Sequence, residues 1–386
     1  MGVDLAEWLN LAIRWLHLVA GIAWIGSSFY FVWLDNHLKA PAEGEASGEL
    51  WSVHGGGFYH NQKYQIAPSA MPERLHWFKW EAYFTWISGF SLLVLIYYVG
   101  AESYLIDPAK AALSPAAAIA IGLAALALGW LVYDGLCRSP VGANDVALGL
   151  FWFVCLLLAA AALDSLFNAR AAYMHVGAII GTVMVANVFL IIIPNQRKVV
   201  ADLVAGRTPD PALGAAAKQR SLHNNYMTLP VLFIMISPHY PMTYGAGRPW
   251  LVLALLGLTG VAVRHVFNLR GRGRPTGGTI AVAIILGLVT VTYVTLENGR
   301  DAPAPAQNLT YADIEPILAT HCAGCHGVNR PPRAMALDSW ERVRAASARI
   351  KAVAVDTQVM PLGNPTGITS AERQRLGAWI AAGSPR

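Results

Sequence analysis

The sequence predicts an all-α protein: a polytopic membrane bundle of about eight helices, followed by one small soluble helical domain. Three observations carry this. The chain of 386 residues is 55% apolar and only 13% charged, with a mean hydropathy of +0.43, too apolar for a soluble protein of that size. Eight apolar runs are long enough to cross a bilayer. After the last of them the chain turns polar and stays so to its end.

The eight runs lie near Trp8–Leu34, Phe78–Gly100, Ala116–Tyr133, Val146–Phe167, Ala171–Pro194, Leu222–Ser237, Trp250–Asn268 and Thr279–Leu296. The first lacks a basic leader and a small-residue cleavage site, so it reads as a retained helix. The sixth is the shortest and carries Pro230, which predicts a kink. Between the first two runs, Asn36 to Trp77 is unusually long. Its stretch His54 to Tyr64 alternates aromatic and polar residues after three glycines, which predicts a hairpin or a loop folded back on the helices.

Loop charge sets the orientation. Loops 1–2, 3–4, 5–6 and 7–8 hold Lys39, Lys63, Arg74, Arg138, Arg197, Lys198, Arg207, Lys218, Arg220, Arg270, Arg272 and Arg274. The other side has little beyond Lys110, Arg170 and Arg248. The first side is therefore expected in the cytoplasm, with both termini outside. The net charge of +5 follows mostly from this bias and needs no nucleic-acid partner. The chain reads as a multi-pass protein of a bacterial inner membrane, with residues 1–298 in the bundle, a Pro/Ala linker at 299–307 and a periplasmic domain at 308–386.

That last domain contains Cys322-Ala323-Gly324-Cys325-His326, the C-x-x-C-H pattern of covalent haem attachment. Two thiols meet the haem vinyl groups and the imidazole meets the iron. Zinc would need a second ligand pair, and Cys137 and Cys155 lie far off in apolar runs. A thioether is the usual sixth ligand. Met360, in a turn-rich stretch with Leu362-Gly363-Asn364-Pro365, is the candidate, and Met335 its competitor. Thr369-Ser370-Ala371-Glu372 is a capping box opening a last helix that Gly383 ends. Helix, haem motif, loop methionine and closing helix make the order of a small class I-like cytochrome c, so one haem c is expected.

Ionisable residues within the spans form two layers. His17 and His175 fall in the periplasmic half, and His76, His223 and His265 in the cytoplasmic half. Such groups face the bundle interior. They either ligate a b-type haem, bind substrate and move protons, or make interhelical hydrogen bonds.

Several runs carry a family resemblance. Arg14-Trp15-Leu16-His17 leads to Gly26-Ser27-Ser28-Phe29-Tyr30, and the His54–Tyr64 stretch follows. Then come Leu75-His76-Trp77-Phe78-Lys79-Trp80-Glu81-Ala82-Tyr83, Ile193-Pro194-Asn195-Gln196-Arg197-Lys198, and Ala217-Lys218-Gln219-Arg220-Ser221-Leu222-His223-Asn224-Asn225-Tyr226. Together they resemble the membrane-bound bacterial urate hydroxylases, over essentially the whole chain. That resemblance implies a urate-oxidising membrane domain joined to a cytochrome c. Urate would be oxidised and hydrated to 5-hydroxyisourate with water as the oxygen source. The electrons would leave through the cytochrome to a soluble cytochrome c or terminal oxidase.

Urate is a flat anion rich in carbonyl and N–H groups. Its site needs a cation, amides and an aromatic face. The start of helix 2 (His76, Lys79, Trp80, Tyr83), the start of helix 6 (His223, Asn224, Asn225, Tyr226) and the end of helix 7 (Arg264, His265, Asn268) supply these on the cytoplasmic side. A pocket there would need a relay such as a b-type haem on His17 and His175. A periplasmic-half pocket at Arg14, His17 and His175 would not. Two rival functions remain: a membrane cytochrome oxidising quinol or another small molecule, and a purine transporter with a redox sensor.

Overall fold

A computed structural model describes residues 5–41, 43–64, 67–68, 71–108, 110–300, 309–327, 335–356, 360–361, 366 and 368–386. Most of the expected linker, from residue 301, and the stretch Leu362–Pro365 lie outside the described residues.

All eight apolar runs are helices, α1 Leu5–His37, α2 Trp80–Leu93, α3 Pro115–Arg138, α4 Asp145–Leu166, α5 Ala169–Val204, α6 Pro211–Ile236, α7 Pro249–Gly271 and α8 Gly277–Arg300. Six of them are long and apolar enough to cross a membrane: α1, α3, α4, α5, α7 and α8. The other two differ for visible reasons. Helix α2 has 14 α-helical residues before widening into a π segment at Val94–Tyr98. The first half of α6 is polar, carrying Lys218, Gln219, Arg220, His223, Asn224 and Asn225.

Helix starts follow local chemistry. Ser114, Asn144, Asn168 and Asp210 each accept a backbone N–H of the first turn, and Pro115 and Pro211 occupy positions whose N–H has no helical partner anyway. Helix α5 is central: half of its apolar stretch is buried, against 11% for α1 and α8. Between lipid-facing helices, association rests on close van der Waals packing. Ile179 of α5 sits on Gly129 of α3, where an added Cβ would come within 2.5 Å, and Ile234 of α6 sits on Gly177 of α5 at the same distance. Outward faces are apolar, as at Leu18, Ile22, Leu150, Val154, Ile284 and Leu288.

The long first connection holds a two-stranded antiparallel hairpin, β1 Gly48–His54 and β2 Gly57–Lys63, turned by Gly55 and Gly56 at positive φ. This is the hairpin alternative of the sequence reading, and it qualifies the all-α expectation. Trp51 stacks on His60 across the strands at 4.2 Å.

The C-terminal domain contains α9 Tyr311–His321, a one-turn helix Ala323–His326, α10 Trp340–Ile350 and α11 Ser370–Ala381. Ile314, Leu318, Val343, Ile350, Leu376 and Trp379 form its core. Capping boxes open α9 at Thr310/Asp313 and α11 at Thr369/Glu372. Gly383, at φ 88°, follows the end of α11.

Candidate functional site

One end of the bundle is built around a buried guanidinium. Arg220 of α6 donates to Asp134 Oδ1 of α3 at 2.6 Å and to Asn187 Oδ1 of α5 at 3.1 Å. Although the sequence reading counts Arg220 among loop cations, it lies inside α6 and is buried. A guanidinium only donates, so its bond fixes the amides of Asn187 and Asn224 beyond it. Asn187 must present its carbonyl to Arg220, and its amide then donates to Asn224 Oδ1 at 2.8 Å and to the Tyr133 hydroxyl at 3.4 Å. Asn224 passes its own amide to the Met184 carbonyl at 2.9 Å. The Tyr133 hydroxyl, accepting from Asn187, also pairs with His223 Nδ1 at 2.8 Å. His223 Nε2 is buried with no hydrogen-bond partner among the described residues, 3.7 Å from Asp145 Oδ1.

Asn187 opens the π segment Asn187–Ile192 of α5. Such widenings mark functional positions in many helices. Here it places Asn187 between α3 and α6.

A second cluster joins α6 to α7. Asn225 Oδ1 accepts from Arg264 Nε at 2.9 Å and from Asn268 Nδ2 at 3.1 Å. All three residues are buried. Two donors on one oxygen fix both amides and leave Asn225 Nδ2 and Asn268 Oδ1 without partners. The Arg264 guanidinium lies 4.0 Å from the centroid of the Phe29 ring of α1. Beside it, the Tyr226 hydroxyl is hydrogen-bonded to His265 Nδ1 at 2.7 Å.

An apolar cavity of about 650 Å³ adjoins these clusters, walled by α4, α5, α6, α7 and α8. Its few polar lining groups include His223, Tyr226, His265 and Asp145.

The structure thus joins His223, Asn224, Asn225 and His265 into one region, as the sequence suggested. It keeps His76 and Lys79 apart from it. His76 is exposed at the entry to α2 with its ring edge-on to Phe78 at 4.6 Å, and Lys79 lies over Trp80 at 5.4 Å. Both belong to the connection before α2, which runs over the surface. Sequence reasoning missed Tyr133, Asp134 and Asn187, whose only signal was being polar within or just past apolar runs.

His17 and His175 sit elsewhere. His17 Nδ1 meets the Thr85 carbonyl at 2.9 Å, and Gly89 leaves room for its ring. His175 donates Nδ1–H to the Ala171 carbonyl at 2.8 Å, the pattern of a metal-ligating imidazole. Its Nε2, however, faces the Tyr98 hydroxyl at 3.3 Å and lies against Gly122 of α3. As packed, both His175 nitrogens have partners and neither is free for an iron. Arg14 is exposed and bonds Asn10 of its own helix.

In the C-terminal domain, the residues of the C-x-x-C-H motif suit a haem c. His326 Nδ1 bonds the Met335 carbonyl at 2.8 Å, leaving Nε2 for iron. Cys322 is half-buried and Cys325 exposed. Burial pushes the Cys322 thiol above its ordinary range. Met360 is half-buried against the same core, with its backbone held by the Val353 carbonyl and by Arg373. Met335, whose backbone carbonyl orients His326, is half-buried against that core as well, so both methionines remain thioether candidates.

Comparison with known proteins gives one family. A family model described as Urate oxidase N-terminal matches residues 3–295. No curated protein and no solved structure matches the chain.

Proposed function

The chain belongs to the urate oxidase N-terminal family, and from that premise we propose that it oxidises and hydrates urate to 5-hydroxyisourate within the membrane bundle. One observation carries the placement: the unpartnered donor Asn225 Nδ2 and acceptor Asn268 Oδ1 beside a guanidinium that covers the Phe29 ring. A buried amide without a partner costs about 1–3 kcal/mol, so two together ask for a ligand that supplies both complements. Urate has carbonyls for the donor, N–H groups for the acceptor, negative charge for Arg264 and a flat face for an aromatic ring.

Oxidation of urate by two electrons releases protons, and hydration needs a water to lose one. His265, steadied by Tyr226, is the base assigned to this step. The excess of Lys and Arg in the loops at this end supports a cytoplasmic location for it.

A haem c attached to Cys322 and Cys325, with His326 and Met360 on its iron, would supply one-electron acceptance and pass electrons on to a respiratory acceptor. The domain at 308–386 is accordingly read as a periplasmic cytochrome c.

The test is anaerobic addition of urate to the purified, haem-loaded protein. Ferrous absorption should grow in, and Arg264→Lys, which keeps the charge but loses the flat fork, should raise the urate concentration needed at least tenfold. Absence of any ferrous band in the unmodified protein would end the proposal.

A further inference from the structure

The C-terminal domain buries a charge that the electron path does not by itself account for. Arg373, near the start of α11, is only 5% exposed. Its Nη1 donates to two backbone carbonyls, that of Met360 at 2.7 Å and that of Ala354. Ala354 belongs to the π-helical segment Lys351–Asp356 that extends α10. From the same segment, the Val353 carbonyl accepts the Met360 N–H at 2.8 Å. Met360 is therefore held at both of its backbone polar groups, and the guanidinium ties that hold to α11. The residue beside it reaches the haem-attachment motif. Glu372 Oε1 lies 3.4 Å from Nε2 of His321, a buried residue that directly precedes Cys322. One helix start thus fixes both the methionine loop and the end of α9 that leads into the motif.

The charge itself is felt at the motif. Burial pushes the Cys322 thiol up, and the Arg373 guanidinium pulls it part of the way back. Holding two carbonyls needs only neutral donors, and a buried cation costs desolvation that a glutamine would avoid. A permanent charge has a use where a neighbouring group changes its own charge, as a haem iron does with each electron. A fixed cation nearby favours the less positive, ferrous state. Met335 meets the motif in another way. Its carbonyl bonds His326 Nδ1, the ring nitrogen opposite the one left for iron.

We infer that Arg373 is a positioning residue for the haem: it clamps the Met360 loop so that this methionine is presented to the iron, and its charge raises the reduction potential. Arg373 then also decides between the two methionines, since the carbonyl it holds is that of Met360. This assignment rests on the cytochrome c reading of the domain and is independent of urate.

The test uses the full-length, haem-loaded protein and the variants Arg373→Gln, Arg373→Lys and Met360→Ala. Glutamine keeps a donor and removes the charge, whereas lysine keeps the charge and loses the planar fork. A pyridine haemochrome spectrum counts covalent haem. Ligation is read from the far-red absorption band of thioether-bound ferric haem and from the affinity for added imidazole. Imidazole binds only where the methionine has left the iron, so its apparent affinity reports the open fraction. In Arg373→Gln, haem content should match the parent, imidazole should bind about tenfold tighter, and the redox midpoint should fall. Arg373→Lys should recover most of the midpoint while still binding imidazole more tightly than the parent. In a Met360→Ala background, adding Arg373→Gln should change imidazole affinity by less than about twofold, because the group it acts through is gone. Parent-like imidazole affinity and midpoint in both Arg373 variants would overturn the inference. So would a tenfold effect that persists without Met360, which marks a general loosening of the domain. If Arg373→Gln does not fold, Arg373→Lys decides by the same two measures. A parent protein without covalent haem removes the cytochrome reading and this assignment with it. A parent whose far-red band is lost in Met360→Ala keeps that reading, whatever Arg373 does.

Discussion

Asp134 holds two guanidinium groups of opposite exposure, which makes it a sensitive probe of the buried network. Arg138, 69% exposed, meets Asp134 Oδ2 at 2.7 Å from the next turn of α3. Arg220, 5% exposed, meets Oδ1 at 2.6 Å. A solvent-exposed ion pair contributes about 0–1 kcal/mol. Removing one partner of a buried pair costs about 3–5 kcal/mol, because the remaining charge is left without compensation. Arg138→Ala should therefore be almost silent, whereas Asp134→Ala should lose several kcal/mol. With about 2 °C per kcal/mol for a large domain, the melting temperature should fall by roughly 6–10 °C in Asp134→Ala and by at most about 2 °C in Arg138→Ala. Asp134→Asn keeps an acceptor for Arg220 while removing the charge and should fall between them. A thiol-reactive thermal melt in detergent, following burial of Cys137 and Cys155, measures all three. Equal losses in Arg138→Ala and Asp134→Ala would refute the reading of Arg220 as the network's buried anchor.

Tyr133→Phe removes the hydroxyl that pairs with His223 Nδ1 while keeping the ring that Trp152 packs on. Leaving that buried imidazole nitrogen unpaired should cost about 1–3 kcal/mol in the same thermal melt, with little change in the urate concentration needed for reduction. Met360→Ala should lower the potential of the haem domain in a redox titration. Met335→Ala should be nearly silent, since Met335 serves His326 through its backbone carbonyl. Backbone and hydroxyl hydrogen bonds from Thr369 hold the Glu372 carboxyl below its usual range. A depressed folded pKa adds stability above the unfolded value of about 4.3, and that stability is lost as the pH falls through the folded value. Glu372→Gln should therefore flatten the acid side of the full-length protein's C-terminal unfolding transition, measured by circular dichroism between pH 5 and about pH 2, and leave the neutral side parallel to the parent.

Much of this fold was legible because apolar runs of the right length leave few alternatives in a bilayer, and Thr369 to Glu372 announces a helix start by residue type alone. The site was legible only in part. His223, Asn224, Asn225 and His265 could be found because they interrupt apolar runs near the end of a span. Tyr133 and Asp134 close one such run and Asn187 interrupts another, but their meaning depends on three helices meeting at Arg220, a juxtaposition no single segment encodes. Arg220 itself was misread as a loop cation because α6 begins at Pro211, eleven residues before the apolar run it extends. His76 and Lys79 misled for the converse reason. Their residue types suit a urate site, but the backbone ahead of α2 leaves His76 exposed and Lys79 half-buried over Trp80.

Which atoms stay unpaired is more informative than which polar residues are buried. Inside a membrane bundle a polar side chain is retained only where partners satisfy it or a ligand does. In the two clusters on α6 the pairing is close to complete, and it is anchored on guanidinium groups whose direction of donation cannot reverse. The remainder is a short set: His223 Nε2 on the cavity face, and Asn225 Nδ2 with Asn268 Oδ1 on the α1 side. At about 1–3 kcal/mol each, three such groups would consume a large share of the 5–15 kcal/mol by which a folded domain is stable. They point away from α6 in different directions, since His223 turns to Tyr133 and Asn225 to Arg264 and Asn268. The donor–acceptor pair beside the Arg264 guanidinium is the set that a flat anion with both carbonyl and N–H groups would satisfy.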